Sequence, residues 1–280
     1  MRIAAVYVTY APEIDFLRQS MSLVAPQVDH IYIVDNSEVT PEELFELGND
    51  NCTVLSCGGN TGIANALNIG YTAALKSHFN WVLSLDQDSF VPDDIISIYR
   101  RNLLVGDNKH TGALVPAFRL CPEASIISGT VAGEVTDYMT SGSLVNLEAF
   151  QIVKGFEEKL FIDMVDTDFG LKLIDNDFKI IRIPEVVLTH NIGNATEIKL
   201  FGKHIGFITH HNHKRRYYIT RNVLYLSQKY GNRFPEFGHP YFKILKSLIR
   251  LILFEKQKTL KLKSVVKGIS DYRNNRYGKF

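Results

Sequence analysis

The sequence predicts an α/β fold, a mostly parallel central sheet flanked by helices, and three observations predict it. Short apolar runs rich in β-branched residues alternate with segments of helical period, the pattern of strands joined by crossover helices. Several of these runs end abruptly on polar or acidic residues, as strands do where an open α/β sheet binds its ligand. Hydrophobic residues make up 45% of the 280, enough to cover both faces of such a sheet.

Residues 3–9 are an apolar run, and Pro12 then opens a helical pattern through Phe16, Leu17, Met21 and Leu23. Residues 30–34 form the next strand, ending at Asp35-Asn36-Ser37, with a short helix over 41–47 and a strand over 53–56. The turn Gly58-Gly59-Asn60-Thr61-Gly62 starts a helix marked by Ile63, Ala66, Leu67, Gly70 and Ala74. Residues 81–85 are a buried strand ending in Asp86-Gln87-Asp88-Ser89, followed by a helix over 92–105 and a strand over 112–115. Residues 1–116 therefore read as a nucleotide-binding layer. Beyond 116 the pattern changes: 124–138 is rich in Gly, Thr and Val and fits hairpin or mixed strands, 144–146 is a strand, 163–174 a helix, 178–183 a strand, and the chain from 214 onward is helical, aromatic and basic. A second segment over 117–230 and a helical, basic extension over 231–280 follow from this. There is no internal repeat or low-complexity tract.

With 31 basic and 30 acidic residues the net charge is +1, so no overall field selects for nucleic acid. Cys52, Cys57 and Cys121 are an odd number without metal-site spacing, which fits free thiols in a reducing, cytoplasmic setting. Residues 1–10 are too short for a signal sequence, and no stretch reaches the roughly 18 apolar residues of a membrane span.

In an extended chain, Asp86 and Asp88 point to one face and form an oxygen pair suited to Mg²⁺ or Mn²⁺ on a nucleotide diphosphate. A loop pair of aspartates is also an ordinary turn or cap, and Asp35 before Ser37 has the same reading. The glycine-rich turn has no Gly-Lys-Ser/Thr and no Gly-x-Gly-x-x-Gly, which speaks against ATP hydrolysis and NAD chemistry. In Asp163-Met164-Val165-Asp166-Thr167-Asp168, a helix would place Asp163 and Asp166 on one face as candidate bases, or as acids favouring the helix dipole. His190 follows a strand over 186–188, where it is a candidate ligand or an ordinary surface histidine.

The ordered set Val8-Thr9-Tyr10, Val34-Asp35-Asn36-Ser37, Gly59-Asn60-Thr61-Gly62 with Asn68-Ile69-Gly70, and Leu85-Asp86-Gln87-Asp88-Ser89 resembles family 2 glycosyltransferases of the GT-A fold, a Rossmann-like architecture. Within that family it resembles bacterial rhamnosyltransferases of surface-polysaccharide (O-antigen or capsule) assembly, over roughly residues 1–230. The resemblance implies that Thr9 and Tyr10 lie against the base, that Asp35 accepts a hydrogen bond from base or ribose, and that Asn60 and Gly62 approach the nucleotide. It implies a metal on Asp86, Asp88 and His190, and Asp166 as the general base. The family's preceding Glu is replaced here by Val165, so the role could be shared with Asp163. Lys214-Arg215-Arg216-Tyr217-Tyr218 with Arg221-Asn222 resembles a stretch of the same group, and one of Arg215, Arg216 or Arg221 is expected to clamp the diphosphate, the alternative for each being a solvated basic helix face.

The implied activity is inverting transfer of a sugar from a nucleotide-sugar donor, dTDP-L-rhamnose first, with UDP-galactofuranose and UDP-glucose as alternatives, to a saccharide or lipid-linked glycan acceptor. Residues 1–116 would then hold the donor and 117–230 the acceptor. A nucleotidyltransferase also uses paired aspartates with Mg²⁺, and a binding module without turnover is the non-catalytic alternative. Residues 240–254 place Phe242, Leu245, Leu248, Ile249 and Ile252 among Lys243, Lys246 and Arg250, a helix for an inner-membrane interface, for packing on the catalytic domain, or for a second subunit in a homodimer.

Overall fold

A computed structural model describes residues 1–105, 110–121, 127–128, 130–191, 196–200, 203–208 and 211–280. The chain divides into two compact units, Met1–Glu158 with Val165–Asn191, and Lys159–Met164 with Ile192–Phe280. Neither limit coincides with the segment boundaries at 116 and 230 expected from sequence.

The first unit opens with β1 (Ile3–Thr9), α1 (Ile14–Val24), β2 (His30–Asp35), the short α2 (Glu42–Phe45), β3 (Cys52–Ser56), α3 (Ile63–Lys76), β4 (Trp81–Asp86) and α4 (Ile95–Val105). It continues with β5 (Thr111–Cys121), β6 (Ile127–Ser128), β7 (Gly133–Val135), β8 (Leu144–Asn146), α5 (Leu147–Ile152), α6 (Val165–Asp175) and β9 (Lys179–Asn191). One sheet runs in the order β3-β2-β1-β4-β8-β5-β9-β7, with β6 paired to β5. Its first four strands are parallel, as expected. The other half is mixed, because β8 runs antiparallel between β4 and β5, and β7 runs antiparallel to β9. Those short return strands come from the Gly- and Thr-rich stretch, where among the described residues no helix intervenes to enforce a parallel crossover.

β1 is the centre of the parallel half and is covered on both faces, so its residues are apolar without alternation. Its registers with β2 and β4 align Thr9 with Asp35 and Val8 with Asp86. Three polar strand ends are thereby brought side by side. α3 lies close to this sheet because Gly70 has no side chain: a Cβ there would stand 2.5 Å from a Val6 methyl carbon and 3.0 Å from one of Val34. Gly70→Ala should therefore destabilise the first unit by about 1–3 kcal/mol despite its gain in helix propensity. Urea unfolding checks this, and an unchanged midpoint would contradict the packing described.

The second unit holds the hairpin β10 (Thr196–Leu200) and β11 (Lys203–Ile208), then α7 (His213–Tyr230), α8 (Pro240–Phe254) and α9 (Lys258–Arg273). α7 is started by Asn212, whose side chain accepts the Arg215 amide at 2.9 Å. α8 opens with Pro240 at its first position, where a missing N–H costs nothing. Among the described residues no helix is long and apolar enough to cross a membrane.

Candidate active site at the strand ends

The ends of β1, β2 and β4 form a cradle tied by side chains. Thr9 and Ser37 both donate to Asp35 Oδ1, at 3.0 and 2.6 Å, and the Ser37 hydroxyl in turn accepts the Ala11 amide at 2.8 Å. Asp35 is fully buried, and its Oδ2 has no hydrogen-bond partner among the described residues. A buried carboxylate oxygen left without a partner is costly unless a ligand supplies a donor. Thr9 is buried and committed to Asp35, so it orients that carboxylate, while Tyr10 stands at the rim, 49% exposed.

The Gly-rich turn closes the cradle beside β2. Asn60 Oδ1 accepts from the Gly62 amide at 3.2 Å and from Asn36 Nδ2 at 3.3 Å, and Asn36 Oδ1 accepts the Thr61 amide at 2.8 Å. Gly62 precedes α3 at φ 94°, a conformation open to glycine. A Cβ at Gly59 would meet nothing within 4 Å, so its backbone presents an open face. Asn36, the buried half of this clasp, was not among the expected site residues. Its only sequence signal is its place between Asp35 and Ser37.

β4 ends at Asp86, and Gln87 and Asp88 lie in a turn closed by the Ser89 amide on the Asp86 carbonyl at 3.1 Å. The extended same-face geometry expected for Asp86 and Asp88 is thus replaced by a turn, the conformation that Asp and Ser favour. The carboxylates nevertheless stay neighbours. Burial, then the charges of Asp166 and Asp88, push the Asp86 carboxyl up from 3.8 to about 7. Gln87 accepts the Tyr10 amide at 2.7 Å and so couples this turn to the end of β1.

Asp166 sits in the first turn of α6, where unpaired backbone amides favour negative charge. Its Oδ1 accepts the Thr140 hydroxyl at 2.5 Å. Beside Thr140, the Ser141 hydroxyl bonds that of Ser89 and lies 3.4 Å from the Asp86 amide. Thr140-Ser141 thereby links the Asp86 turn to Asp166, a role the sequence did not suggest for this pair.

The raised Asp86 carboxyl carries a pH signature. Without metal or nucleotide, the folded first unit holds a proton on Asp86 that the unfolded chain, with its carboxyl at 3.8, has already released. Stability should therefore fall as pH rises from 3.8 to about 7, and Asp86→Asn should flatten that part of the profile. Denaturant midpoints across that range test it, and a slope identical in the variant would count against the cluster.

The strand register places the His190 backbone opposite Leu120 in the β5–β9 pair, and its imidazole lies outside the described part of the structure. Among the described residues no three His, Cys, Asp or Glu side chains converge as a metal cage. The oxygen donors of Asp86 and Asp88 still fit a hard divalent ion, since Mg²⁺ is usually held by one or two carboxylates together with substrate phosphates.

Three expectations are corrected in the second unit. Asp163 precedes α6 rather than sharing a helical face with Asp166: Phe161, Asp163 and Met164 adopt φ of 66°, 64° and 65°, and the helix begins at Val165. The Asp163 carboxylate is gripped by the Arg215 guanidinium, with Nε 3.3 Å from Oδ2 and Nη2 on Oδ1, so both are engaged with each other. Arg221, expected on the diphosphate, is fully buried. Its five N–H groups go to Asn222 Oδ1, the Tyr217 hydroxyl and the carbonyls of Gly278, Lys159 and Leu160, at 2.9–3.3 Å. Tyr217, Tyr218 and Tyr277 surround the guanidinium at 5.2, 5.2 and 5.5 Å. Arg221→Met should leave nucleotide affinity unchanged and destabilise the second unit by about 3 kcal/mol or more, since it strands buried carbonyls. Parallel nucleotide titration and urea unfolding would reveal the opposite pattern if Arg221 were the clamp.

The fold is of the GT-A type found in glycosyltransferases, and residues 6–101 match the model of Glycosyl transferase family 2. The chain is 28% identical over 246 residues to the dTDP-rhamnosyl transferase RfbF of Shigella flexneri, spanning 81% of this chain and 80% of that protein. Its fold is similar to that of S. aureus TarS 1–349 solved with UDP-GlcNAc, with TM-score 0.64, 13% identity, and 97% of this chain and 80% of that one covered. GalNAc-T7 solved with UDP, GalNAc and Mn²⁺ matches with TM-score 0.57 at 15% identity, covering 80% of this chain and 47% of that one.

Proposed function

We propose that the protein transfers L-rhamnose from dTDP-L-rhamnose, with inversion and with a divalent ion on the donor, to a polysaccharide or lipid-linked saccharide. The observation that carries the reading is the acidic cluster at the strand ends, where the turn holding Asp86 and Asp88 is linked through Ser141 and Thr140 to Asp166. Such a concentration of carboxylate calls for a cation, and a nucleoside diphosphate arriving with Mg²⁺ or Mn²⁺ supplies it. The likeness to a dTDP-rhamnosyl transferase favours the sugar and the nucleotide.

In this reaction the acceptor oxygen attacks the anomeric carbon, the glycosidic C–O bond forms as the bond to the diphosphate oxygen breaks, and the nucleoside diphosphate leaves with the electron pair. A single displacement inverts the configuration. Asp166, held through Oδ1 by Thr140, takes the acceptor proton. Asp35 Oδ2 accepts from the base or ribose, and Asn60 and Gly62 shape the approach to the nucleotide. Asp86 and Asp88, with His190 as third ligand, would hold the ion, which would supply positive charge to the leaving diphosphate.

A panel of dTDP- and UDP-sugars, with metal and with chelator, scored by nucleoside diphosphate release, tests the proposal. Metal-dependent release from dTDP-L-rhamnose alone is expected. Preference for UDP-galactofuranose or UDP-glucose would keep the chemistry and replace the donor, and pyrophosphate release would instead indicate nucleotidyl transfer.

A further inference from the structure

α8 buries one side and is apolar on the adjoining side as well. Ile244 and Leu251 are buried, and Ile244 joins Leu224 of α7 and Val265 of α9 in the core of the second unit. The other side carries Tyr241, Phe242, Leu245, Ile249, Ile252 and Leu253, each between 48% and 68% exposed. At 100° per residue these six side chains fan over about 120° of the helix circumference. This is a continuous stripe of about three and a half turns, whereas an exposed apolar residue on an ordinary surface usually stands alone.

Charge distinguishes what could cover it. Lys246, Arg250 and Lys243 follow along one flank of the stripe, and Lys256, Lys258 and Lys263 extend the exposed cations past the helix end. The one carboxylate of residues 240–263 is Glu255, 3% exposed and bound to Arg216 and Lys261. The exposed charge of the segment is thus of one sign. A second copy of the same face would bring cations against cations, which disfavours self-association. An apolar stripe beside a row of lysine and arginine is the pattern of a helix lying in the interface of a bilayer with anionic headgroups, with its rings and aliphatic chains below the headgroups and its cations level with the phosphates.

We propose that the outer face of α8 docks the protein peripherally on an anionic lipid surface. The proposal does not depend on the donor or the reaction, since it concerns lipid binding alone. Flotation of the full chain with vesicles of phosphatidylcholine, or of phosphatidylcholine with phosphatidylglycerol, tests it. Retention on the anionic vesicles should exceed that on the neutral ones by at least about tenfold and fall with added salt. Leu245→Glu with Ile249→Glu, both at exposed positions, should abolish retention with an unchanged thermal midpoint. Lys246→Glu with Arg250→Glu should remove the anionic preference while leaving the fold intact. Absence of binding to anionic vesicles, equal retention on neutral ones, or a dimer in light scattering that the Leu245→Glu/Ile249→Glu pair dissociates, would each overturn it.

Discussion

Asp166→Asn should bind the nucleotide sugar with nearly unchanged affinity and lose transfer by about 10²- to 10⁴-fold. Asparagine keeps the size of the side chain and can still meet the Thr140 hydroxyl through its carbonyl oxygen, so the first turn of α6 should keep its place. What it cannot do is take a proton from the acceptor. The loss should therefore appear in kcat, with the donor KM little moved. Asp163→Asn is the informative contrast. Its carboxylate is turned to Arg215 and lies in a left-handed segment before the helix, so the change should weaken an ion pair without removing the base. Single-turnover rates of the two variants at saturating donor decide the assignment, and a larger loss in Asp163→Asn would move the base there.

Asp88→Ala should lower metal-dependent nucleoside diphosphate release by on the order of a thousandfold, and it should weaken nucleotide binding only when the metal is present. Asp88 is exposed in the turn after β4, so little folding stability rides on it. Removing its charge also relieves Asp86, one of whose perturbing neighbours it is. The apo-protein should thus be as stable as wild type while its chemistry collapses. Calorimetric titration of dTDP with Mn²⁺ and with chelator separates this from a general loss of structure. Equal affinities in both conditions for wild type and variant would remove the metal from the account.

The parallel half of the fold was legible in the sequence because each strand is a short, mostly apolar run closed by a polar residue, and the register of β1 with β2 and β4 aligns those closures. Asp35 and Asp86 stand at two of those closures, whereas the roles expected of Asp35 and of the Gly58–Gly62 turn came from the resemblance of the ordered motifs. What was not legible depends on contacts between distant residues. The segment before α6 looks helical locally, yet Asn222 holds the carbonyls of Leu160, Ile162 and Asp163 at 3.0, 2.9 and 2.8 Å and keeps it in another conformation. The same distance in sequence hid the role of Arg221, which reads as one more cation of a basic stretch until three tyrosines and the carbonyls of Lys159, Leu160 and Gly278 close around it. Thr140 and Ser141 carried no signal because small hydroxyl residues are as common in turns as in sites. β9 runs from Lys179 to Asn191 as one strand where the sequence reads as two, over 178–183 and 186–188, because its pairing with β5 shifts register between Pro116 and Ala117 and passes over Pro184.

The measurement that bears most directly on the strand-end site is an anomalous difference map from crystals of the protein grown with dTDP and Mn²⁺. One manganese peak is expected beside the Asp86 and Asp88 carboxylates and the diphosphate, with the base near Asp35 Oδ2. A nucleotide bound elsewhere, or manganese on the diphosphate with both aspartates turned away, would contradict it.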